Sequence, residues 1–188
     1  MATDPFYQKI TADEFLAMDF GSDRKFELSN GVIQMMTGGL SSHAHVSGNI
    51  YFALRSKLAG SGCRPFNSDM GIRVDPTTVR YPDISVVCRE NWLLQEDVKA
   101  FDDPVVVFEV LSPSTTSFDQ GSKRLEYQAV PSTQAVVLVD PVNRLTRTHY
   151  RQSTDLWRDS TFAQPHDVEL PMIGVTLTEQ EIFAGVFW

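Results

Sequence analysis

The run Val105-Val106-Val107-Phe108-Glu109-Val110-Leu111 constrains this chain more than any other stretch of it. It is apolar without two-residue alternation, which is the pattern of a central strand covered on both faces and not of a strand with one wet side. Glu109 therefore enters a place poor in water, where a carboxylate without a partner is costly, so a cation has to meet it. Asp119 to Ala129 follows with helical spacing, Leu125 and Ala129 on one side, and Gln134-Ala135-Val136-Val137-Leu138-Val139 is a second buried strand ending at Asp140-Pro141. Strand, helix, strand in this order is a crossover unit that joins a parallel pair. Lys123 then lies on the crossover helix, within reach of the end of the Glu109 strand.

The remaining signals complete an α/β chain. Thr11 and Glu14 form a capping box for a short helix carrying Phe15, Leu16 and Met18, and residues 1 to 10 read as an arm. Lys25 to Leu28 and Val32 to Met35 flank Asn30-Gly31, a strong hairpin signal, which sets Glu27 on a strand. Val46, Ile50, Leu54 and Leu58 mark one face of a helix from Ser42 to Leu58, capped by Ser41 or Ser42, with His43 in its first turn. Strands are expected at Arg64 to Phe66, at Gly71 to Val74 before the Asp75-Pro76 turn, and at Ile84 to Cys88 after Pro82-Asp83. Arg144 to Tyr150 and Asp155 to Phe162 read as a hairpin, and Thr178 with Glu181 caps a closing helix over Ile182 and Phe183.

With 188 residues, 42% of them hydrophobic, the chain has material for one substantial core, and a single domain over 1–188 is expected. No stretch reaches the roughly 18 to 20 apolar residues that cross a bilayer, and Met1-Ala2-Thr3-Asp4-Pro5 lacks the regions of a secretory signal, so the expected location is cytoplasmic. Cys63 and Cys88 have no CxxC spacing, and two free thiols in a reducing compartment are expected. The net charge of −8 is the reverse of the basic footprint of a tight nucleic-acid binder. A carboxylate site neutralised by divalent ions accounts for part of that charge, and any affinity for DNA should be weak and salt-sensitive.

Asp83 opens one strand and Glu109 sits inside the next, so neighbouring strands can bring two carboxylates to one point. Oxygen-rich pairs of this kind suit Mg²⁺ or Mn²⁺. With Lys123 they supply the parts that phosphodiester hydrolysis needs. Each residue also has a plain structural reading: Asp83 as a turn acid, Glu109 in a buried salt bridge, and Lys123 as a helix-surface charge paired with Asp119. Tyr127, one turn beyond Lys123, reads first as a packing residue.

Tyr81-Pro82-Asp83, the phrase Phe108-Glu109-Val110-Leu111-Ser112-Pro113-Ser114-Thr115, then Asp119, Lys123, Tyr127 and Val139-Asp140-Pro141 together resemble the Uma-type family of restriction endonucleases, within the PD-(D/E)XK nuclease superfamily. The resemblance takes in Phe26-Glu27-Leu28-Ser29-Asn30-Gly31 and His43 with Asn49, and runs from about residue 10 to about residue 185. It implies a restriction-endonuclease-like core, a mixed β-sheet flanked by helices, with an N-terminal helix and hairpin. It implies DNA as substrate, Mg²⁺ or Mn²⁺ held by Asp83, Glu109 and the Val110 carbonyl, and a homodimer, for which Ile182 to Trp188 is a candidate contact. The superfamily's lysine would stand two residues after Glu109, where this chain has Leu111, so the resemblance places a migrated lysine at Lys123. Glu27 resembles the acidic residue of the first helical or hairpin region, and His43 is a weaker candidate for the site. A non-catalytic module of the same fold, or a hydrolase of RNA or of a small phosphorylated molecule, are the competing readings. A basic strip of Arg55, Lys57, Arg64, Arg73, Arg80 and Lys123 beside the carboxylates would favour a polymer.

Overall fold

The computed structural model describes residues 9–21, 24–92, 98–112, 119–162 and 166–186, the side chains of residues 119 and 120 excepted. Most of the expected arm, Pro113-Ser114-Thr115, the Asp119 side chain, Phe187 and Trp188 lie outside what is described.

The apolar run becomes β8 (Pro104–Val110), flanked by β6 (Ile84–Cys88), antiparallel, and β9 (Ala135–Asp140), parallel. Strand β3 (Cys63–Asn67) extends this sheet beyond β6, and β10 (Leu145–Arg151) with β11 (Trp157–Thr161) extends it beyond β9. Val106, Phe108 and Val110 pack with Val46, Ile50 and Leu54 of helix α2 (Ser41–Lys57) in one core cluster. Val107 and Leu111 pack on the other face with Tyr127 of helix α3 (Arg124–Ala129). Both faces are thus covered, which is why alternation is missing from the sequence. Each fully buried Ile or Leu of the α2 face contributes about 1.5–3 kcal/mol by leaving water. Glu109 sits between Val107 and Leu111 in the chain, so the strand's period of two carries it to the α3 side.

A second sheet orders β2-β1-β5-β4-β7, from β1 (Phe26–Ser29), β2 (Val32–Met35), β4 (Gly71–Asp75), β5 (Thr78–Arg80) and β7 (Ala100–Phe101). Asn30 and Gly31 both adopt positive φ, 49° and 81°, the backbone that a two-residue hairpin turn needs. Helix α1 (Ala12–Ala17) carries the expected reciprocal capping box of Thr11 and Glu14, and α4 (Glu179–Ile182) that of Thr178 and Glu181. A small hairpin, β12 (Val168–Leu170) with β13 (Val175–Leu177), completes the main core cluster. The architecture is the mixed α/β fold expected from the sequence, with the sheet split in two.

Several expectations need correction. Cys63 and Cys88 are not free thiols: they face each other in the β3–β6 register, with Cα atoms 3.9 Å apart, and form a disulfide. Strand pairing brings together cysteines 25 residues apart, which spacing alone could not show, and the argument from free thiols to a reducing compartment falls with it. Helix α2 is capped at Leu40, without a side-chain bond, because it starts at Ser41. The crossover helix opens with a π-type turn over Asp119–Lys123 that rotates its faces, so Leu125 is exposed while Tyr127 and Gln128 are buried. Ile182, Phe183 and Val186 belong to the core of their own chain, which removes them as a dimer contact. Among the described residues no helix is long and apolar enough to cross a membrane.

Candidate active site

Strand β5 ends at Arg80, Tyr81-Pro82 follows, and Asp83 stands just before β6, paired at Ile84 with Phe108. This places Asp83 beside the end of β8, where its Oδ2 accepts the Val110 N–H at 2.7 Å. From the opposite side His43 Nε2 of α2 lies 3.1 Å from the same oxygen. Gly39 makes that approach possible, because a Cβ there would stand 2.9 Å from the imidazole ring. Asp83 Oδ1 takes part in neither contact.

Glu109 is met from the α3 side. The Tyr127 hydroxyl donates to its Oε1 at 2.7 Å, and Lys123 Nζ lies 3.9 Å from the same atom. Lys123 Nζ is also 3.5 Å from Oε2 of Glu27, so the ammonium sits between two buried carboxylates. Glu27 is buried and not a solvated strand residue, and its Oε1 pairs with Arg80 Nη1 at 2.9 Å. Arg80 has no exposed surface; its Nε and Nη2 meet the two Glu126 oxygens at 2.6 and 2.8 Å, and Nη2 also donates to Ser29 Oγ at 2.9 Å. Burial opposes the Arg80 charge, but the bond to Glu126 and the charge of Glu27 outweigh it and hold its pKa above the ordinary arginine value. Burial first, then Glu109, push the Tyr127 phenol well up, so it stays a donor.

Arg24, Lys25, His43, Asp83, Glu109 and Lys123 line one cleft of about 460 Å³. The structure therefore brings the three principal sequence candidates together with His43, while Glu27 reaches them through Lys123. The basic strip that would have favoured a polymer does not assemble. Arg80 is internal, Lys57 pairs with Glu181, Arg73 with Asp13, and Arg55 and Arg64 line a separate recess with Trp92. The basic residues lining the cleft besides Lys123 are Arg24 and Lys25, and Lys25 is paired with Asp69 at 2.5 Å.

Sequence reasoning missed Arg80 and Glu126 as ion-pair partners and underrated Tyr127. Glu126 and Tyr127 stand three and four residues after Lys123, the spacing that shares a helix face, so that signal was available. Arg80 had none, because Thr78-Val79-Arg80 is too short to show a period. His45 and Asn49 are structural: His45 Nε2 and Asn49 Nδ2 each bond the Ala184 carbonyl at 2.8 Å, tying α2 to the C-terminal turn.

The donors fit a hard divalent cation of the Mg²⁺ type. Among the described residues no group of three or more His, Cys, Asp or Glu side chains is set to hold a metal ion by itself. Mg²⁺ is commonly held by one or two carboxylates, with water and substrate phosphate completing its shell. Glu27, Glu109 and Glu126 meet the permanent cations Arg80 and Lys123, while Asp83 meets the Val110 N–H and His43 at the same cleft.

A mixed sheet with a crossover helix beside its central parallel pair is the architecture of a restriction-endonuclease-like α/β protein. Residues 12–180 match the family model Uma2, described as "Putative restriction endonuclease", and the chain belongs to that family. It is 27% identical over 181 residues to an uncharacterized protein of Synechocystis sp., covering 96% of this chain and 94% of that one. A second uncharacterized Synechocystis protein is 27% identical over 132 residues, 70% of this chain and 75% of its own length. The crystal structure of a "putative nuclease belonging to DUF820" from Anabaena variabilis superposes with a TM-score of 0.77 at 20% identity, over 95% of this chain and 99% of that chain. At that identity the likeness speaks for the fold.

Proposed function

We propose that the chain is a metal-dependent DNA endonuclease whose site is Asp83, Glu109 and Lys123, supported by Glu27 and His43. The observation that carries this reading is the position of Lys123 Nζ, 3.5 Å from Glu27 and 3.9 Å from Glu109, in the cleft that Asp83 also lines. Asp83, Glu109 and the Val110 carbonyl would hold Mg²⁺ or Mn²⁺, which supplies Lewis-acid polarisation of the scissile phosphate. Lys123 orients the attacking water and meets the charge that grows on the phosphate oxygens. Glu27, fixed by Arg80, keeps the ammonium at that place, and His43 with the Val110 N–H fixes the rotamer of Asp83. Arg24, which lines the cleft, meets a flanking phosphate. A two-fold dimer is part of the reading, since closed two-fold pairs are the commonest assembly, with its contact away from the buried C-terminal turn.

The test is calorimetric titration of Mg²⁺ and Mn²⁺ into the protein and into Glu109→Ala, followed by incubation of each with plasmid DNA. Binding and nicking in the parent, both lost in the variant, are expected. Ion binding without any cutting of DNA would overturn the endonuclease reading, and absence of ion binding would make the carboxylates structural.

A further inference from the structure

A second recess adjoins the cleft. Its volume is about 220 Å³, and Arg24, Lys25, Ser68 and Tyr81 line both cavities. Its own wall is aromatic and apolar, made by Phe15, Phe20 and Phe26 with Leu16 and Met18, and Lys99 stands at its edge. Phe20 stacks on Phe26 with ring centroids 4.4 Å apart and leans on Phe15 at 5.6 Å, yet keeps 36% of its surface exposed. Met18 is exposed to a similar degree.

Size and charge narrow the occupant. The recess is smaller than the roughly 300–1,000 Å³ of sites that enclose a whole drug-sized ligand, so it has room for about one ring system. Arg24, Lys25, Lys99 and Asp69 border it; Lys25 pairs with Asp69 at 2.5 Å and Lys99 donates to the Leu16 carbonyl at 2.6 Å, which leaves the border net positive. A flat, aromatic occupant attached to anionic groups matches both properties, since bases stack on aromatic side chains whatever their sequence while basic residues track the backbone. Tyr81 is two residues from Asp83 and lines both cavities, so one strand can pass from recess to cleft.

We propose that this recess is a base-binding subsite, in which an unpaired nucleobase next to the scissile phosphate stacks among Phe20, Phe26 and Tyr81 while Arg24 and Lys99 meet its flanking phosphates. The proposal rests on the nuclease reading and deepens it: the preferred substrate is single-stranded or locally opened DNA. An acidic protein gains by this, because stacking supplies affinity that its net charge of −8 does not.

The probe is a single-stranded oligodeoxynucleotide carrying one 2-aminopurine, moved along the strand from one oligonucleotide to the next, with Ca²⁺ as the only divalent ion. Anisotropy of an end label reads binding, and 2-aminopurine fluorescence reads stacking. Quenching at one position of the strand is expected in the parent protein. In Phe20→Ala the quenching should vanish and binding weaken about tenfold, the scale of one lost base stack. Phe20→Trp should keep both, and Phe52→Ala, which removes a 72% exposed ring lining a different recess, should change neither. Binding without position-specific quenching, or unchanged quenching in Phe20→Ala, would overturn the subsite and leave the nuclease reading standing. Failure to bind the strand together with failure to nick plasmid under Mg²⁺ would overturn both.

Discussion

The Tyr127 hydroxyl donates to Oε1 of Glu109 across 2.7 Å in a fully buried setting, so the carboxylate's position is set by the crossover helix as well as by its own strand. Tyr127→Phe removes that donor and leaves a buried acceptor short of a partner, at about 1–3 kcal/mol of stability. Urea unfolding should show that loss. Burial, with Glu109 second, holds the phenol well above the usual range, so ultraviolet titration of the parent should show a tyrosine that ionises only as the protein unfolds, absent from Tyr127→Phe. A late-ionising tyrosine that persists in Tyr127→Phe would contradict this placement of the phenol.

How much of this was legible beforehand depends on whether a residue's partner is near it in the chain. The hairpin at Asn30-Gly31, both capping boxes and the parallel pair around the crossover helix follow from local rules, and each formed where the spacing placed it. Asp83, Glu109 and Lys123 were legible because a charged residue in an apolar strand demands a partner and strand order supplies one. Arg80 was not. Its partners Glu27 and Glu126 come from strand β1 and helix α3, and only the assembled sheets bring them together. The Cys63–Cys88 bond failed for the same reason, since the register of β3 on β6 is not written in either segment. Leu125 failed differently: a regular α-helix would bury it, and the π-type turn before α3 shifts the face.

Lys123 offers a cleaner separation of stability from chemistry. Lys123→Met takes the ammonium from between Glu27 and Glu109, leaving buried carboxylates with one cation fewer, and removal of a buried partner costs about 3–5 kcal/mol. Adding Glu109→Gln removes the carboxylate whose ion-pair partner was Lys123 and should restore much of the loss in denaturant titrations. Plasmid nicking should remain absent in both proteins. Cleavage at the parental rate in either would remove Lys123 from the reaction.

Arg80 is expected to resist conservative replacement. A guanidinium serves Glu27, both oxygens of Glu126 and Ser29 at once, and a lysine ammonium cannot reproduce the paired contact with Glu126. Arg80→Lys should therefore lose at least one charge-assisted bond, about 1.5–3 kcal/mol, and Arg80→Met about 3–5 kcal/mol. Thermal unfolding of the two variants beside the parent gives the order. Parental stability in Arg80→Lys would mean that the paired geometry contributes nothing.

The acid limit of stability should carry the signature of His149, on β10 next to the edge strand of the six-stranded sheet. Burial lowers its pKa, and the bond from Nδ1 to Asp159, 2.6 Å long, opposes that shift without cancelling it. Nε2 is buried and has no hydrogen-bond partner among the described residues, so a proton there would sit unsatisfied. With the folded pKa below the unfolded one, near 6.5, the unfolded chain takes up the proton first. The stability tied to this group is then present above the unfolded value and lost as pH falls through the folded one. Urea midpoints measured between about pH 8 and pH 5 should decline at the acid end in the parent and decline less in His149→Phe. Asp159→Asn removes the charge that favours protonation, so the folded pKa drops further and the acid loss becomes larger and extends to lower pH. A midpoint profile identical in all three proteins would show that His149 does not titrate between folded and unfolded chains.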